Sequence, residues 1–347
     1  MKDQVLYRKY RPGTFADVLG QDHITKVLEQ SLISGTFSQA YLFTGSRGTG
    51  KTSVARIFAK ALGVSPEDIA EIDAASNRKV EDIEELRRGV NFFPFSSPFK
   101  VYIIDEVHML TGHAFNALLK TLEEPPAHVI FILATTELDK VPETILSRCQ
   151  TFTFRKPSER LLAQMVTSLA EKEKIQIDED ATSLIAFLGD GSFRDTQSLL
   201  QKVFSVSETR IITREDVELL TGAPSLSVIQ TVYNGLIEKN IDTLLAEIVR
   251  ASSHHIDMML FAKLLLQTMR FSLLYRYSPA LRDEIVAQHT DSYVEIIKRG
   301  AVEGQEVINS AALVTMIEAI ERLSYASVPE LPLELAMISL VGLESTK

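Results

Sequence analysis

The stretch YLFTGSRGTGKTSVARIFAKALG, residues 41–63, constrains the chain most. An apolar run enters a glycine-rich loop, and the loop opens into a helical pattern. Gly45 to Thr52 matches G-x-x-x-x-G-K-[ST], a loop whose backbone N–H groups close around phosphates. The glycines permit that close approach. Lys51 is placed to reach the β and γ phosphates, Thr52 to ligate Mg²⁺, and the helix that follows adds its positive N-terminal dipole. Gly45, Ser46, Arg47, Gly48, Thr49, Gly50, Lys51, Thr52 and Ser53 are therefore the candidate nucleotide-contacting loop. Only Lys51 and Thr52 among the side chains have a chemical reason in the motif; Arg47 is expected to face solvent or a neighbour.

A second segment, VYIIDEVH, ends an apolar strand on Asp105 and Glu106. Paired acids at a strand end pack poorly but suit a metal and its water. Asp105 is expected in the Mg²⁺ shell. Glu106 is expected to polarise the attacking water as a general base. The strand-like runs AYLF, KVYIID, VIFILATT and TFTF alternate with helical patterns as far as Pro157. That alternation predicts an α/β domain with a mainly parallel sheet between helices over 1–157. Beyond Pro157 the β signals fade. Residues 158–222 read as a small helical domain, with Thr213 as a helix N-cap, and 223–347 as an all-helical one.

Composition narrows the class. The chain has 347 residues, 45% hydrophobic and 24% charged, and one cysteine, Cys149. Intramolecular disulfides and Cys-based zinc sites are excluded, and no zinc is expected. Neither a signal core nor an 18-residue apolar span occurs, so no membrane contact is expected and the cytoplasm is favoured. Net charge is −10, and it lies entirely in residues 158–347, which hold 17 basic and 27 acidic residues; residues 1–157 hold 19 of each. Any nucleic-acid contact must come from a local basic surface. These features leave three classes open: a metabolite kinase, a GTPase switch, and an ATPase that moves a macromolecule. The Asn-Lys-x-Asp tetrad of GTPases does not occur. A metabolite kinase needs neither the long helical half nor an acid dedicated to water.

Further residues carry a resemblance. ILATT ends a strand at Thr135 and Thr136, LSRC places Arg148 before the next strand, and GDGSFRD places Arg194 at a helix start with Ser192 and Asp195 as a possible capping box. This resembles the AAA+ ATPases. LYRKYRPGTFADVLGQ, EIDAASN, KVYIIDEVHML, FNALLKTLEEPP, FILATT and ILSRC together look like the γ/τ subunits of the bacterial DNA polymerase III clamp loader. The resemblance is dense from Leu6 to about Leu200 and rests on helical character alone beyond.

The resemblance implies an AAA+ nucleotide-binding domain, a helical lid and an all-α collar. It implies an ATP- and Mg²⁺-dependent subunit that joins related subunits in a five-membered ring, opens a sliding clamp and releases it on primed DNA upon hydrolysis. Thr135 would be the polar sensor, Arg194 the second sensor, and Arg148 a finger offered to a neighbouring subunit. The box at Tyr7, Arg11, Pro12, Val18 and Leu19 would fold over the adenine. Lys120, off the apolar stripe of Phe115, Leu118, Leu119 and Leu122, is a candidate phosphate contact, as are Arg78, Lys79, Arg87 and Arg88; a solvated face is the plainer expectation for each. His254 and His255 read as ordinary, and Cys149 as a packing residue.

Two features depart from the family pattern. No cysteine module separates Leu62 from Glu71, and the sequence resembles the short form, without tethers for polymerase and helicase. Two competing readings remain. A branch-migration motor would favour a C-terminal winged helix, which IDMMLFAKLLLQTMRFSLLYRY does not suggest. A non-catalytic ring member would lack Lys51 or Glu106, and both are present.

Overall fold

The computed structural model describes residues 5–77, 80–206, 210–287 and 289–342. Arg78 and Lys79 lie outside the described residues. The chain forms two compact units, Met1–Val166 with Ala186–Gln201, and Thr167–Ile185 with Lys202–Lys347.

The first unit is built on a parallel sheet of β1 (Ala40–Thr44), β2 (Ile69–Asp73), β3 (Lys100–Asp105), β4 (Val129–Thr135) and β5 (Gln150–Thr153), in the order β2-β3-β4-β1-β5. The sheet lies between helices, as expected. All residues of β1 and β4 are buried, whereas only Phe152 is buried in β5. A parallel strand covered on both faces reads as a continuous apolar run, which is why AYLF and VIFILA stand out and an edge strand does not. β2, IAEID, escapes the sequence reading for that reason. It carries charges at Glu71 and Asp73, and its residues are half-buried or exposed.

Alternation splits the sheet into two cores. Tyr41, Phe43, Ile103 and Ile132 pack with Val54, Ile57 and Phe58 of the helix Lys51–Ala61. Leu42, Ile104, Phe131 and Leu133 pack with Phe115, Leu118 and Leu122 of the helix Gly112–Glu123. Each such side chain contributes ~1.5–3 kcal/mol on burial. Asn116 and Lys120 fall off that stripe and are exposed. The helix ends just before Pro125 and Pro126, whose rings disfavour its continuation.

The parallel order leaves β1, β3 and β4 ending together at their C-terminal edge. Thr44 pairs with Thr135, and Asp73 with Asp105. Ligands of open α/β sheets bind at such edges, where the strand order reverses.

The second unit is helical but holds one surprise. Gln176–Ile177 pairs in parallel with Ile211–Ile212, a two-stranded patch that residues 158–222 did not signal. Two-residue strands are too short for any periodicity to register. Thr213 caps the next helix with a full capping box, accepting from Asp216 N while Asp216 Oδ2 accepts from Thr213 N. The C-terminal helices pack around Tyr233, Phe261, Leu265, Met269, Ile297 and Met337, all fully buried or nearly so. Gly300 is required there, because an added Cβ would sit 2.3 Å from Tyr233 Oη. Among the described residues no helix is long and apolar enough to cross a membrane.

One buried carboxylate organises the loop after the helix Val80–Val90. Asp68 is 2% exposed and accepts from Phe95 N at 2.6 Å and Ser96 N at 3.0 Å. Burial alone would raise its pKa, but these amides and the Ser97 and Ser65 hydroxyls hold it down to about 2 from 3.8. A depressed folded-state pKa stabilises above the unfolded value, and that contribution is lost as pH falls through the folded one. Asp68→Asn should therefore lower the melting temperature at pH 7, and the gap to wild type should narrow between about pH 4 and about pH 2. A gap of constant size across that window in thermal melts would show that the carboxylate charge is not what holds the loop.

Candidate nucleotide site

The loop between β1 and the helix Lys51–Ala61 owes its shape to its glycines. Gly45, Gly48 and Gly50 have φ of 146°, 74° and 103°, values that side chains rarely adopt. Gly45 N donates to Thr135 O at 3.3 Å, tying the loop to β4. Gly48 O accepts from Phe193 N at 3.0 Å, at the start of the helix Phe193–Val206. The approach is so close that a Cβ on Gly48 would lie 2.0 Å from Ser192 Oγ.

The first-turn amides of Lys51, Thr52 and Ser53 have no acceptor within their own helix, whose first backbone bond runs from Val54 N to Gly50 O. Buried or half-buried amides normally find partners, so this row of donors at a helix N-terminus fits phosphate oxygens. Lys51 is 6% exposed, and its ammonium donates to Gly45 O at 2.7 Å and Ser46 O at 2.9 Å. Burial lowers its pKa, and Glu106 and Asp105 oppose that shift. Ser46 and Arg47 are exposed, and Thr49, which is buried, donates from Oγ1 to Ser46 O at 2.9 Å. Thr52 Oγ1 donates to Asp105 Oδ2 at 2.7 Å, bringing together the hydroxyl and carboxylate that suit a hard cation.

Glu106 adopts the left-handed conformation, φ 49° and ψ 44°, although it is not glycine. Such a conformation costs about 1–2 kcal/mol for a residue with a side chain. Its carboxylate accepts from Thr136 Oγ1 at 3.0 Å. Thr135, fully buried, accepts from Glu137 N at 3.0 Å and lies 3.0 Å from His108 Nδ1. The sheet thus brings Lys51, Thr52, Asp105, Glu106 and Thr135 to one edge. Thr136 and His108 join them.

A family profile described as "DNA polymerase III, delta subunit" matches residues 64–158. The DNA polymerase III subunit tau of Bacillus subtilis is 39% identical over 98% of the chain, a match that spans 63% of that relative. The gamma subunit of Buchnera aphidicola from Acyrthosiphon pisum is 32% identical over 99% of both chains. This chain belongs to the gamma/tau family of DNA polymerase III subunits. It spans less than two thirds of the B. subtilis tau length. In structure it is similar to the RuvB Holliday junction branch migration motor of Thermotoga maritima, with a TM-score of 0.53 at 21% identity over 66% of this chain and 80% of that one. The shared fold is the AAA+ one.

Other expected residues of this gamma/tau chain are less central. Tyr7 lies under the guanidinium of Arg194, 5.1 Å from the ring centroid. Arg194 begins its helix and is exposed, and Ser192 Oγ accepts from Asp195 N at 3.2 Å, the Ser192 half of the expected capping box. Loss of surrounding water and the nearby Arg56 lower the pKa of Arg11, against the pull of Glu71. Val18 packs on the core of the first unit, Pro12 is half-buried, and Leu19 is 41% exposed. What pins this segment is Gln21, which sequence reasoning missed: its amide donates to Arg155 O at 2.8 Å and accepts from Arg155 N at 3.0 Å.

Arg148 makes its bonds away from the loop residues. It is exposed and pairs with Glu123 at 2.7 Å, and also donates to Thr144 O at 2.8 Å. Its carboxylate partner is Glu123, not the nearer-in-sequence Glu143. Cys149 is partly buried against the second core, and burial pushes its thiol up to about 12. His254 Nδ1 lies 2.7 Å from Arg250 O, one turn back on its own helix.

The closeness of Gly48 to Ser192 generates a test. Gly48→Ala would add both the left-handed penalty of about 1–2 kcal/mol and a collision with Ser192 Oγ. Chemical denaturation should show at least that loss, and Ser192→Gly in the same chain should recover the collision part. Unchanged stability in Gly48→Ala would mean the loop and the helix at Phe193 do not touch as described.

Proposed function

We propose that this chain is an ATP-hydrolysing clamp-loader subunit acting in bacterial DNA replication. The observation that carries the reading is the convergence of Lys51, Thr52, Asp105 and Glu106 at one sheet edge in a chain of the gamma/tau family. The row of amides and the Lys51 ammonium would hold the phosphates of ATP. Thr52 and Asp105 would hold Mg²⁺, which supplies positive charge to the phosphate oxygens. Glu106 would take the proton of the attacking water, with Thr136 fixing its carboxylate. Thr135 and Arg194 would sense the γ phosphate, and Tyr7, Arg11, Pro12, Val18 and Leu19 would flank the base.

We read residues 1–157 as the nucleotide-binding domain, 158–222 as a lid and 223–347 as a collar. The collar reading is supported by exposed apolar side chains, among them Tyr277, Val302, Val314, Tyr325 and Leu335. Gathered into one patch, such side chains would form an interface. The partners would be related subunits in a ring of five, a sliding clamp and primed DNA, all in the cytoplasm. Arg87, Arg88 and Lys120 line one groove with Glu84, Asn91 and Glu124, a local basic surface suited to DNA phosphates in an acidic chain. Arg148 would serve in trans. Its ion pair with Glu123 is about a third to a half exposed, and such pairs are worth ~0–1 kcal/mol, so the guanidinium is free to exchange one anion for another.

Equilibrium binding and hydrolysis separate the roles. Lys51→Ala should abolish ATP binding. Glu106→Gln should retain binding and lose hydrolysis, on the order of 10²–10⁴-fold, the typical worth of a positioned general base. Equal ATP affinity in wild type and Lys51→Ala would defeat the site. Wild-type hydrolysis should rise only when both primed DNA and a sliding clamp are added to the assembled ring.

A further inference from the structure

His108 lies on the single turn Val107–Met109, two residues beyond Glu106, and its side chain is 5% exposed. A buried imidazole is costly unless its nitrogens find partners. Both do. Nδ1 is 3.0 Å from Thr135 Oγ1 and 3.5 Å from Glu106 Oε2. Nε2 is 3.2 Å from Glu137 Oε1. Carboxylates only accept, and the Thr135 hydroxyl already donates to Glu137 O at 3.1 Å, so a proton on Nδ1 serves Thr135 and Glu106 and a proton on Nε2 serves Glu137. Glu137 in turn meets Lys140 at 2.6 Å, and its own amide donates to Thr135 Oγ1 at 3.0 Å. One ring therefore joins the acid at the end of β3, the hydroxyl at the end of β4, and the turn Leu138–Lys140 that leads through the helix Glu143–Leu146 to Arg148.

We propose that His108 is a positioning residue for hydrolysis, holding the Glu106 carboxylate and the Thr135 hydroxyl in fixed relation and tying both to the Glu137–Lys140 turn. The inference rests on Glu106 and Thr135 acting as proposed above, and adds a member that does not touch nucleotide. The Glu106 carboxylate has the Thr136 hydroxyl at 3.0 Å and the His108 ring at 3.5 Å. With the ring removed, Thr136 is the one hydrogen-bond partner left to that carboxylate among the described residues, and rotation about the glutamate's own bonds carries it away from any water it must deprotonate. The hydrogen bonds of the Lys51 ammonium run to Gly45 O and Ser46 O and that of the Thr52 hydroxyl to Asp105, so neither is made through His108. The network thus bears on the rate of hydrolysis and not on nucleotide affinity. Through Glu137 it also gives the strand edge that leads to Arg148 a polar connection to the chain's own site.

The test uses the full chain in its assembled ring with clamp and primed DNA. His108→Ala should lower kcat on the order of 10²-fold, the cost of misplacing a reacting group by about 1 Å, with ATP affinity unchanged. His108→Asn, which keeps an amide near the Nδ1 position, should recover part of kcat, and His108→Gln, which reaches only the Glu137 side, should recover less. Wild-type kcat in His108→Ala, a loss of affinity equal to the loss of rate, or an Asn variant no better than Ala would overturn the role. In parallel, ¹⁵N spectra of the histidine ring read the contacts without any turnover. Glu137→Gln should move the Nε2 resonance and Glu106→Gln the Nδ1 resonance. Absent shifts in a protein that hydrolyses ATP overturn the positioning role. The shifts in a wild type that hydrolyses nothing instead defeat the reading of the site as an ATPase, and the positioning role with it.

Discussion

A 2.7 Å hydrogen bond from Thr52 to Asp105 joins residues 53 positions apart in the chain. It fastens the first turn of the phosphate-loop helix to the end of β3. A hydrogen bond to a charged acceptor contributes roughly 1.5–3 kcal/mol, but its larger effect is geometric. It brings the phosphate loop and the next acid, Glu106, to the same strand edge. Asp105 Oδ1 accepts from Glu106 N at 3.0 Å, so the same carboxylate orients the backbone of the glutamate that follows it. In the proposed roles, one carboxylate would thus place both the cation and the base.

The rest of the first unit serves that edge. β1 and β4, buried throughout, keep the loop and Thr135 in register. Gly45 donates to Thr135 O, and Gly48 accepts from Phe193 N, so the loop is held on two sides by backbone alone. Arg148 is the exception. Its partners, Glu123, Thr144 and Ser147, are exposed, and none belongs to the phosphate loop.

Much of this was legible in the sequence because the strongest signals come from the most constrained places. G-x-x-x-x-G-K-T requires its glycines for positive φ and its Lys and Thr for charge and oxygen, so the pattern and the geometry coincide. The buried strands AYLF and VIFILA declared themselves by unbroken apolarity. The stripe at Phe115, Leu118 and Leu122 gave the core face of its helix, and Thr213 gave a cap. What was hidden is tertiary. The edge strand at Ile69–Asp73 carries charge because one side is open. The left-handed turn at Glu106, the Thr136 contact and the buried His108 depend on neighbours from β4, and no local spacing reveals a side chain that bridges two strand ends. Glu123 as the partner of Arg148 is equally non-local, since Glu143 lies closer in sequence and the fold selects the other.

In the proposed function, hydrolysis at one subunit's loop depends on an arginine from the next. The most direct measurement mixes two inactive variants, Lys51→Ala and Arg148→Ala, in one assembled ring with clamp and primed DNA. Neither variant alone should support hydrolysis, and the mixture should recover part of it wherever an intact Lys51 faces an intact Arg148. Arg148→Ala alone hydrolysing ATP at the wild-type rate, or a mixture as inactive as its parts, would contradict it.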